Sequence, residues 1–424
     1  MSIENLNSLK ARSAESKAAA TLEQFFDGGA FTEINAVYGD ASVAEVVCGF
    51  GYVDGMAVCA FCQDIAEASG AMSVAQAKKL TAIYELALKT GAPVVGFYNS
   101  KGARLSEGNM LLDALAKLLT LSSKLSGVVP QISVVLGDCV GTTALLAANA
   151  DFLIKTEDAK IAIDATAKAC SCCALSEKDE AAAIDAAKAL VTYLPSNNLT
   201  PAPAALEVEA QAYDGFISAF DLNTTLELYK GSEASALYFA RLEGNVVGVV
   251  ETKGKSLEKT DIKNITKFVR FCDAFTIPVI TAVDAEGFKC LGGAKKVLSA
   301  YSEATTAKIS VITGKATGAV YLSMASQGAV ADAVIALDGA VVSPVKPEAA
   351  AYIMLGDKLS VPVSEQDKLI ADYIATELSA VSAAKSGFIS DVVTENDLRA
   401  RLSALTEILS SKRESALPKK HATV

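Results

Sequence analysis

Two glycine segments have the spacing best suited to chemistry in this sequence of 424 residues. Gly137 and Gly141 bound the first segment, Gly314 and Gly318 bound the second, and each segment follows an apolar, strand-like run. Because the residues after each segment are predicted to be helical, the first backbone N–H groups there lack a partner inside the helix, and the helix dipole adds partial positive charge. Such a turn can bind a thioester carbonyl and stabilise the enolate that forms when its α-carbon reacts.

The spacing of these glycines excludes two common phosphate-binding motifs. A P-loop requires a glycine five positions before Gly314, where Ile309 stands. Neither segment has the G-x-G-x-x-G spacing of a dinucleotide-binding fingerprint. A glycine that only permits a sharp strand-to-helix turn is the alternative for each segment alone, but the presence of two copies favours a functional role.

Side chains that could act as nucleophiles or metal ligands are scarce. The only histidine, His421, stands near the end of the sequence, which argues against Ser-His pairs, Cys-His pairs and histidine metal sites. Cys59 and Cys62 have half the spacing of a zinc knuckle, and the cysteines in residues 170–173 do not repeat it. We therefore predict reduced, buried thiols and no metal.

Charge and hydropathy limit the possible partners. The formal net charge of −11 and the pI near 4.9 argue against nucleic acid and anionic membrane surfaces. No charge-free run reads as a spanning helix, and the first residues lack the basic-then-apolar order of a signal peptide. We expect a cytoplasmic protein with no nucleic-acid partner and no direct membrane insertion.

The elements that must position the glycine segments are predicted twice along the chain. Hairpins over residues 48–64 and 237–252 have tight turns at Asp54-Gly55 and Glu243-Gly244. An amphipathic helix follows each hairpin, and in the first copy Ser73 and Gln76 have the pattern of a capping box. Each helix leads into a proline and an apolar strand, so that one plan is present in two copies.

The offset between the copies locates a deletion. The strands at residues 93–97 and 278–282 are 185 positions apart, whereas the two glycine segments are 177 positions apart. This difference predicts a shortening of the second copy between Gly287 and Ile309. Alternating apolar strands and helices indicate an α/β fold with helices packed on a mainly buried sheet.

The boundary between the copies is predicted from a run rich in proline and asparagine. Residues 194–203 form this run, which places one domain at residues 1–205 and the other at residues 206–424. After the second copy, two more amphipathic helices are predicted over residues 365–382 and 395–411, followed by a loose tail.

Five segments of the chain resemble a known family. Nearly the whole sequence, from residue 25 to residue 421, is similar to the carboxyltransferase subunit of biotin-dependent acyl-CoA carboxylases and decarboxylases, the acetyl- and propionyl-CoA carboxylase beta-like family. The most specific segments are residues 87–95, 102–108, 127–133, 193–198 and 270–278. The resemblance implies two tandem crotonase-like (ClpP/crotonase) domains of the ββα superhelix type. It also implies an N-terminal acyl-CoA-binding domain, a C-terminal biotin-side domain, and an active site between halves of different subunits.

The resemblance also implies the site residues. Gly141 and Thr142 would hold the acyl-CoA carbonyl, and Gly318 and Ala319 would hold the ureido carbonyl of biotin. Two cations, Lys101 and Arg104, would contact the CoA phosphates, although a solvated turn explains them equally well. The other residues implied on the acyl-CoA side are Ser69, Gly70, Gly102, Ala103 and Gly137, and those on the biotin side are Gly287, Phe288 and Gly314.

Biotin would be carried by a partner, because none of the six methionines borders a lysine that could carry it. The partners that the resemblance implies are a biotin carboxyl carrier protein and either a biotin carboxylase or a decarboxylase membrane subunit. A homo-oligomer, dimeric or larger, is also expected, with an acyl-CoA as substrate. In such enzymes biotin and the carboxyl group themselves handle the α-proton, consistent with the scarcity of side-chain bases.

Three departures from the family pattern leave alternatives open. Thr142 stands where the family has a second glycine, Lys101 stands where it has a glycine, and the long loop after Phe288 is cut to residues 289–293. One alternative is a non-catalytic crotonase-fold subunit that assembles with a complete carboxyltransferase. Another is a crotonase-like hydratase or thioesterase that acts without biotin. A hydratase would need a pair of acid and base groups, for which the candidates are Asp64, Glu107, Asp284 and Glu286.

Overall fold

The computed structural model describes residues 3–37, 45–66, 68–164, 166 and 173–416, with the side chains of residues 3–6 and 12 left out. Predictions for His421, Cys170, Cys172 and the tail fall outside these residues. The chain divides into two compact units, Met1–Pro203 and Ala204–Val424, two residues from the boundary that the sequence predicts. Within the described part, no helix combines the length and apolar character needed to cross a membrane.

Unit 1, Met1–Pro203, is built on a mixed sheet with the order β1-β2-β3-β4-β5-β6-β8, with β7 paired to β5. The first three strands are antiparallel and the others parallel. The strands are β1 Phe31–Glu33, β2 Val46–Val53, β3 Met56–Gln63, β4 Val94–Ser100, β5 Gln131–Val140, β6 Phe152–Thr156, β7 Ile161–Ala162 and β8 Leu175–Glu177. The helices are α1 Ile3–Ala14, α2 Lys17–Phe25, α3 Val74–Thr90, α4 Asn109–Leu125, α5 Thr142–Ala148 and α6 Glu180–Val191.

Unit 2, Ala204–Val424, repeats this topology with the order β16-β14-β13-β12-β11-β10-β9 and β15 paired to β13. The strands are β9 Leu226–Leu228, β10 Ser235–Leu242, β11 Asn245–Thr252, β12 Val279–Ala285, β13 Lys308–Thr317, β14 Ala333–Leu337, β15 Val341–Ser343 and β16 Asp391–Val393. The helices are α7 Lys259–Ala274, α8 Leu291–Glu303, α9 Pro347–Leu355, α10 Val363–Glu377, α11 Ala380–Lys385 and α12 Leu398–Leu409. The single helix predicted over residues 365–382 is therefore two helices, α10 and α11.

The hairpin turns are confirmed in both units. Asp54 and Gly55 have φ values of 50° and 73°, and Glu243 and Gly244 have values of 50° and 79°. Two successive residues in the left-handed region are what a type I′ turn requires, and this turn matches the twist of the paired strands. The same turn at the same place brings β2 against β3 and β10 against β11.

The capping of α3 is confirmed only in part. The Ser73 hydroxyl accepts a hydrogen bond from the Gln76 N–H at 3.1 Å, as an N-cap should. The Gln76 side chain does not complete the predicted capping box, because its amide donates to the Ala71 carbonyl at 3.0 Å. Gly91, with φ of 67°, ends the helix in the left-handed conformation.

Matched hydrogen bonds show how closely unit 2 copies unit 1. The Met72 N–H donates to the Gly102 carbonyl at 2.7 Å, and the Leu257 N–H donates to the Gly287 carbonyl at 2.9 Å. Both members of the second bond lie 185 positions after those of the first. The predicted shortening is also confirmed, since α8 has 13 residues where α4 has 17, and the connection before it is shorter as well.

Candidate active site

The glycine segments are strands that end in a turn, rather than the loops that the sequence predicts. β5 continues to Val140, and β13 continues to Thr317, so only Gly141 and Gly318 leave the sheet. The pairing register shifts near these strand ends. One residue of β4 lies opposite several residues of β5, and one residue of β12 lies opposite several residues of β13. The last residues of β5 and β13 pair with the short strands β7 and β15. These strands come later in the sequence and are too short to show the alternation of apolar and polar residues that predicts a strand.

Glycine is required at positions 137 and 314, because a neighbouring side chain leaves no space for a Cβ atom. That side chain belongs to Asn99 in unit 1 and to Asp284 in unit 2. A Cβ on Gly137 would lie 2.7 Å from Asn99 Oδ1, and a Cβ on Gly314 would lie 2.5 Å from Asp284 Oδ1. The Lys315 N–H donates to that Asp284 oxygen at 2.9 Å. These glycines therefore have a packing role, and the 185-residue offset between Asn99 and Asp284 was the signal that could have identified their partners.

In unit 1 the structure brings the predicted acyl-CoA residues together at the carboxyl ends of β4 and β5. A Cβ on Gly141 would lie 3.8 Å from the Gly102 Cα, and the hydroxyls of Ser100 and Thr143 are 3.3 Å apart. Parallel sheets bind ligands at this edge.

The turn at Ser69 and Gly70 joins the same loop. The Lys101 N–H donates to the Ser69 carbonyl at 3.2 Å. A Cβ on Gly70 would lie 2.0 Å from the Asn99 carbonyl oxygen, so only glycine fits there. Ala103 forms a parallel bridge with Met72, which fixes the loop from the other side.

The N–H of each turn glycine is already occupied. The Gly141 N–H donates to the Ala162 carbonyl at 3.0 Å, and the Gly318 N–H donates to the Ser343 carbonyl at 2.8 Å. The expectation that these two N–H groups are free donors is therefore corrected. Their partners belong to β7 and β15, whose pairing with the ends of β5 and β13 the sequence did not reveal.

The unoccupied donors lie one residue further on and on the neighbouring loop. Within the described residues, the N–H groups of Thr142 and Ala103 in unit 1 have no acceptor, and the same holds for Ala319 and Phe288 in unit 2. Each unit thus presents two backbone donors at the carboxyl end of its sheet. Backbone donors held by a rigid sheet are what stabilises an oxyanion.

Thr142 adds a side chain to the donors of unit 1. Its Oγ1 is buried and has no hydrogen-bond partner among the residues that the structure describes. A buried hydroxyl without a partner costs free energy unless a ligand satisfies it. The departure from the family pattern at this position therefore places an unsatisfied donor beside the free N–H groups.

Arg104 is held by an ion pair. Its Nη1 lies 2.6 Å from Glu45 Oε1, and the Ser73 hydroxyl donates to the other oxygen of this nearly buried carboxylate at 2.5 Å. Lys101 is exposed, and no ion pair to it is present in the described part of the chain. Of the two cations predicted to meet CoA phosphates, Lys101 is the one with its charge unpaired.

In unit 2 the residues predicted for the biotin side also meet at one edge of the sheet. The Thr317 hydroxyl donates to the carbonyl oxygens of Ala285 at 3.2 Å and Glu286 at 2.7 Å, which ties the end of β13 to the loop of Gly287 and Phe288. After Gly318 the chain forms a π-helical turn, Tyr321–Ala325, and not the regular helix predicted there. Because this helix is so short, its dipole adds little, and the positive potential at the turn comes from the free backbone N–H groups there.

The carboxylates considered as acids or bases have structural partners. Glu107 caps α3 by accepting from the Val74 N–H at 2.5 Å, and Asp64 accepts from the Ala66 N–H at 2.9 Å. Glu286 pairs with Lys346 at 3.4 Å, and Asp284 accepts from the Lys315 N–H. These contacts give no support to an acid/base pair of the kind that a hydratase needs.

Most of the thiols in the described part of the chain are buried, as predicted. Burial raises the pKa of Cys139, which lies in the first glycine segment, to about 12, and that of Cys59 to about 11. Cys290 is an exception, because it is exposed at the start of α8. In the part of the chain described, no cluster of His, Cys, Asp or Glu could hold a metal ion.

Family comparison decides the class of the protein. The family model described as carboxyl transferase domain matches residues 19–170 and 236–424. The chain belongs to the carboxyl transferase family. This carboxyltransferase is 30% identical to the methylmalonyl-CoA decarboxylase subunit alpha of Propionigenium modestum, over 97% of the chain and 93% of that relative. It is 32% identical to the propionyl-CoA carboxylase beta chain of Saccharopolyspora erythraea, over 91% of the chain and 83% of that relative.

Solved structures agree with this placement. A transcarboxylase 12S crystal structure with methylmalonyl-CoA and methylmalonic acid bound superposes on this carboxyltransferase with a TM-score of 0.87. The two are 29% identical, and the match covers 98% of the chain and 93% of that structure. The predicted family, the fold of two crotonase-like domains and the enzyme class of acyl-CoA carboxyltransferase are confirmed. The predicted domain limits and site residues stay predictions.

Proposed function

We propose that this carboxyltransferase moves a carboxyl group between biotin on a separate carrier protein and a short acyl-CoA of the propionyl-CoA and methylmalonyl-CoA type. The substrate class is supported by relatives named for these compounds and by the transcarboxylase structure with methylmalonyl-CoA bound. The observation that carries the proposal is the matched arrangement of backbone donors in the two units.

Unit 1 holds the acyl-CoA in this proposal. The N–H groups of Ala103 and Thr142 donate to the thioester carbonyl, and the Thr142 hydroxyl satisfies its missing hydrogen bond on the same oxygen or on the acyl group. As the α-carbon gains or loses a carboxyl group, negative charge develops on the thioester oxygen. Donors already fixed in place stabilise that charge without reorganisation.

Binding of the CoA phosphates is assigned to Lys101, because its charge is unpaired among the described residues. Arg104 instead fixes the loop through Glu45. Ser69 and Gly70 complete the wall of this site, and Gly137 permits the irregular strand on which it rests.

Unit 2 has the donors that a ureido carbonyl would require. The free N–H groups of Phe288 and Ala319 suit an uncharged acceptor oxygen, and the described residues around them include no competing acceptor for either. When bound, biotin supplies the ureido nitrogen that carries the carboxyl group. The chain's own residues there, with Gly287, Gly314 and Gly318, orient the ureido ring by its oxygen.

The partners belong to the same proposal. Relatives are named as subunits of decarboxylases and carboxylases, and the transcarboxylase structure is described as a hexamer assembly and a multienzyme core. We infer a biotin carboxyl carrier protein, a biotin carboxylase or decarboxylase membrane subunit, and a homo-oligomer of this chain.

The experiment measures loss of the free carboxyl group from methylmalonyl-CoA by the purified protein, with and without free biotin. The proposal expects decarboxylation that rises with biotin concentration and saturates. Turnover of the acyl-CoA that ignores biotin and leaves the free carboxyl group in place would favour the hydratase or thioesterase alternative. No turnover, even with a carrier protein present, would favour the non-catalytic subunit.

A further inference from the structure

Unit 1 contains an apolar cavity of about 390 Å³ between the β2–β3 hairpin and the C-terminal end of α3. It lies beside Ala92 at the amino end of β4, whereas the glycine segments lie at the carboxyl ends of the strands. Pockets of this size hold small molecules. The residues that line it are Phe50, Met56, Ala57, Val58, Cys59, Leu86, Thr90, Gly91, Ala92 and Ser196.

Unit 2 shows what fills the same place in the duplicated fold. Leu86 and Thr90 lie 185 positions before Phe271 and Phe275, and α3 and α7 begin at the same offset. Phe50 pairs with Cys59 across the β2–β3 hairpin, and Phe239 pairs with Gly248 at the equivalent place in the β10–β11 hairpin.

The frame around the two positions is conserved in detail. The Cys59 N–H donates to the Pro93 carbonyl at 2.9 Å, and the Gly248 N–H donates to the Pro278 carbonyl at 2.8 Å. The positions therefore correspond in three dimensions as well as in sequence.

In unit 2 this position is occupied by aromatic rings in edge-to-face and tilted contact. The Phe239 and Phe271 centroids are 6.2 Å apart, and the Phe271 and Phe275 centroids are 4.7 Å apart. In unit 1 only the first ring is present, as Phe50, and it is 40% exposed. Leu86 and Thr90 stand where unit 2 has Phe271 and Phe275. The cavity therefore lies where two aromatic side chains lie in unit 2.

The chemistry of the lining selects an uncharged ligand. None of the described residues that line the cavity is acidic or basic, and burial raises the pKa of the Cys59 thiol to about 11, which keeps it neutral. The Thr90 hydroxyl donates to the Leu86 carbonyl at 2.9 Å, and the Ser196 hydroxyl is 2.8 Å from that of Thr200. Polar groups at the rim are thus already paired, and an ionic ligand would lose its hydration without gaining a partner.

We propose that unit 1 binds a small, neutral aromatic molecule of one or two rings in this cavity, against the face of Phe50. The ring takes the place that Phe271 and Phe275 occupy in unit 2. Stacked and edge-to-face ring contacts add to the burial of apolar surface. This site is separate from the glycine segments and does not depend on the proposed carboxyl transfer.

Indole is a suitable probe, because the chain contains no tryptophan and indole emission therefore reports only the ligand. Binding is measured by titration calorimetry and by the blue shift of indole emission on entering an apolar site. The test variant is Leu86→Phe/Thr90→Phe, which restores the aromatic rings that unit 2 has at these positions. The matched control is Leu88→Phe, on the same helix but outside the cavity and 49% exposed.

We expect a submillimolar dissociation constant for the wild-type protein and for Leu88→Phe, and at least tenfold weaker binding for the double variant. The melting temperature of the double variant should equal or exceed that of the wild type, since filling a cavity restores lost contacts. Should the double variant not fold, the single variant Leu86→Phe, which adds one of the two rings, must still weaken binding. Absence of binding to the wild type, or equal binding by the wild-type and double-variant proteins, would overturn the proposal.

Discussion

The Gly318 N–H donates to the Ser343 carbonyl at 2.8 Å, so the N–H group of this turn glycine is occupied within the fold. The corresponding bond in unit 1 joins Gly141 to Ala162. In each unit the turn glycine is thereby anchored to a short parallel strand, and the N–H group of the next residue has no acceptor among the described residues. The glycine supplies a left-handed conformation, with φ of 68° at Gly141 and 45° at Gly318, and its neighbour supplies the donor.

The two glycines should respond differently to substitution. A Cβ on Gly318 would lie 2.8 Å from the Pro344 carbonyl oxygen, whereas a Cβ on Gly141 meets nothing closer than 3.8 Å. We expect Gly318→Val to lower both the melting temperature and turnover, and Gly141→Ala to cost about 1 kcal/mol of stability because of its positive φ.

Turnover of Gly141→Ala should nevertheless fall by ~10²-fold, because the new methyl group points toward Gly102, where the thioester carbonyl would enter. Gly231→Ala, also at positive φ but in open space, is the control for backbone strain. If Gly141→Ala and Gly231→Ala lose the same small amount of activity, Gly141 has no role at the site.

The Thr142 hydroxyl can be tested separately from its N–H group. Thr142→Val keeps the side-chain shape and the backbone donor but removes the buried, unpartnered oxygen. The free energy of unfolding should stay unchanged or rise by up to ~1 kcal/mol, because an unsatisfied polar group is removed.

Turnover of Thr142→Val should fall about 10-fold or more, since a donor to the developing charge is lost. Thr142→Ser retains the hydroxyl and should keep most of the activity. Steady-state kinetics alongside urea unfolding checks both expectations. Equal activity of the Val and Ser variants would show that the hydroxyl plays no part.

The pairing of Arg104 with Glu45 predicts a stability effect at a residue that the family resemblance places in the substrate site. Arg104→Gln removes the ion pair to the nearly buried Glu45 carboxylate and should destabilise the protein by ~3 kcal/mol. The double variant Glu45→Gln/Arg104→Gln should recover a large part of this loss.

Lys101→Ala, in contrast, should leave urea unfolding unchanged within ~0.5 kcal/mol and raise the KM for acyl-CoA. The effect should shrink as salt is added, because the contact is exposed. An unchanged KM at low salt would remove Lys101 from the phosphate site.

The sequence predicted the repeating elements well and the details of the site less well. Type I′ turns at Asp54-Gly55 and Glu243-Gly244, and the capping residue Ser73, follow from local chemistry that the residues themselves carry. The duplication also located the shortened connection before α8. Local patterns of this kind determine which elements form.

The carbonyl partners of the turn glycines could not be predicted. Ala162 and Ser343 belong to very short strands that pair with the ends of β5 and β13. Such pairing depends on tertiary contacts and not on the propensity of two or three residues. The glycine segments were therefore predicted as loops, and the N–H groups of both glycines were predicted as donors together with those of Thr142 and Ala319. Only the N–H groups of Thr142 and Ala319 are without an acceptor among the described residues.

A homo-oligomer is expected from the exposed apolar side chains that each unit carries. Leu105 and Met110 in unit 1 are 89% and 70% exposed, and Ile353 and Met354 in unit 2 are 73% and 67% exposed. Exposed clusters of large apolar residues are typical of protein interfaces. Light scattering of the eluted protein at micromolar concentration should give a dimer or a larger species, and a monomer would contradict this expectation.

The most direct measurement follows a labelled free carboxyl group of methylmalonyl-CoA into free biotin. The wild-type protein should place label on biotin and release propionyl-CoA in equal amounts. Gly141→Ala should slow both by the same factor while the protein stays folded. Propionyl-CoA formed without any label on biotin, or label transfer that Gly141→Ala leaves at the wild-type rate, would contradict the account of paired backbone donors.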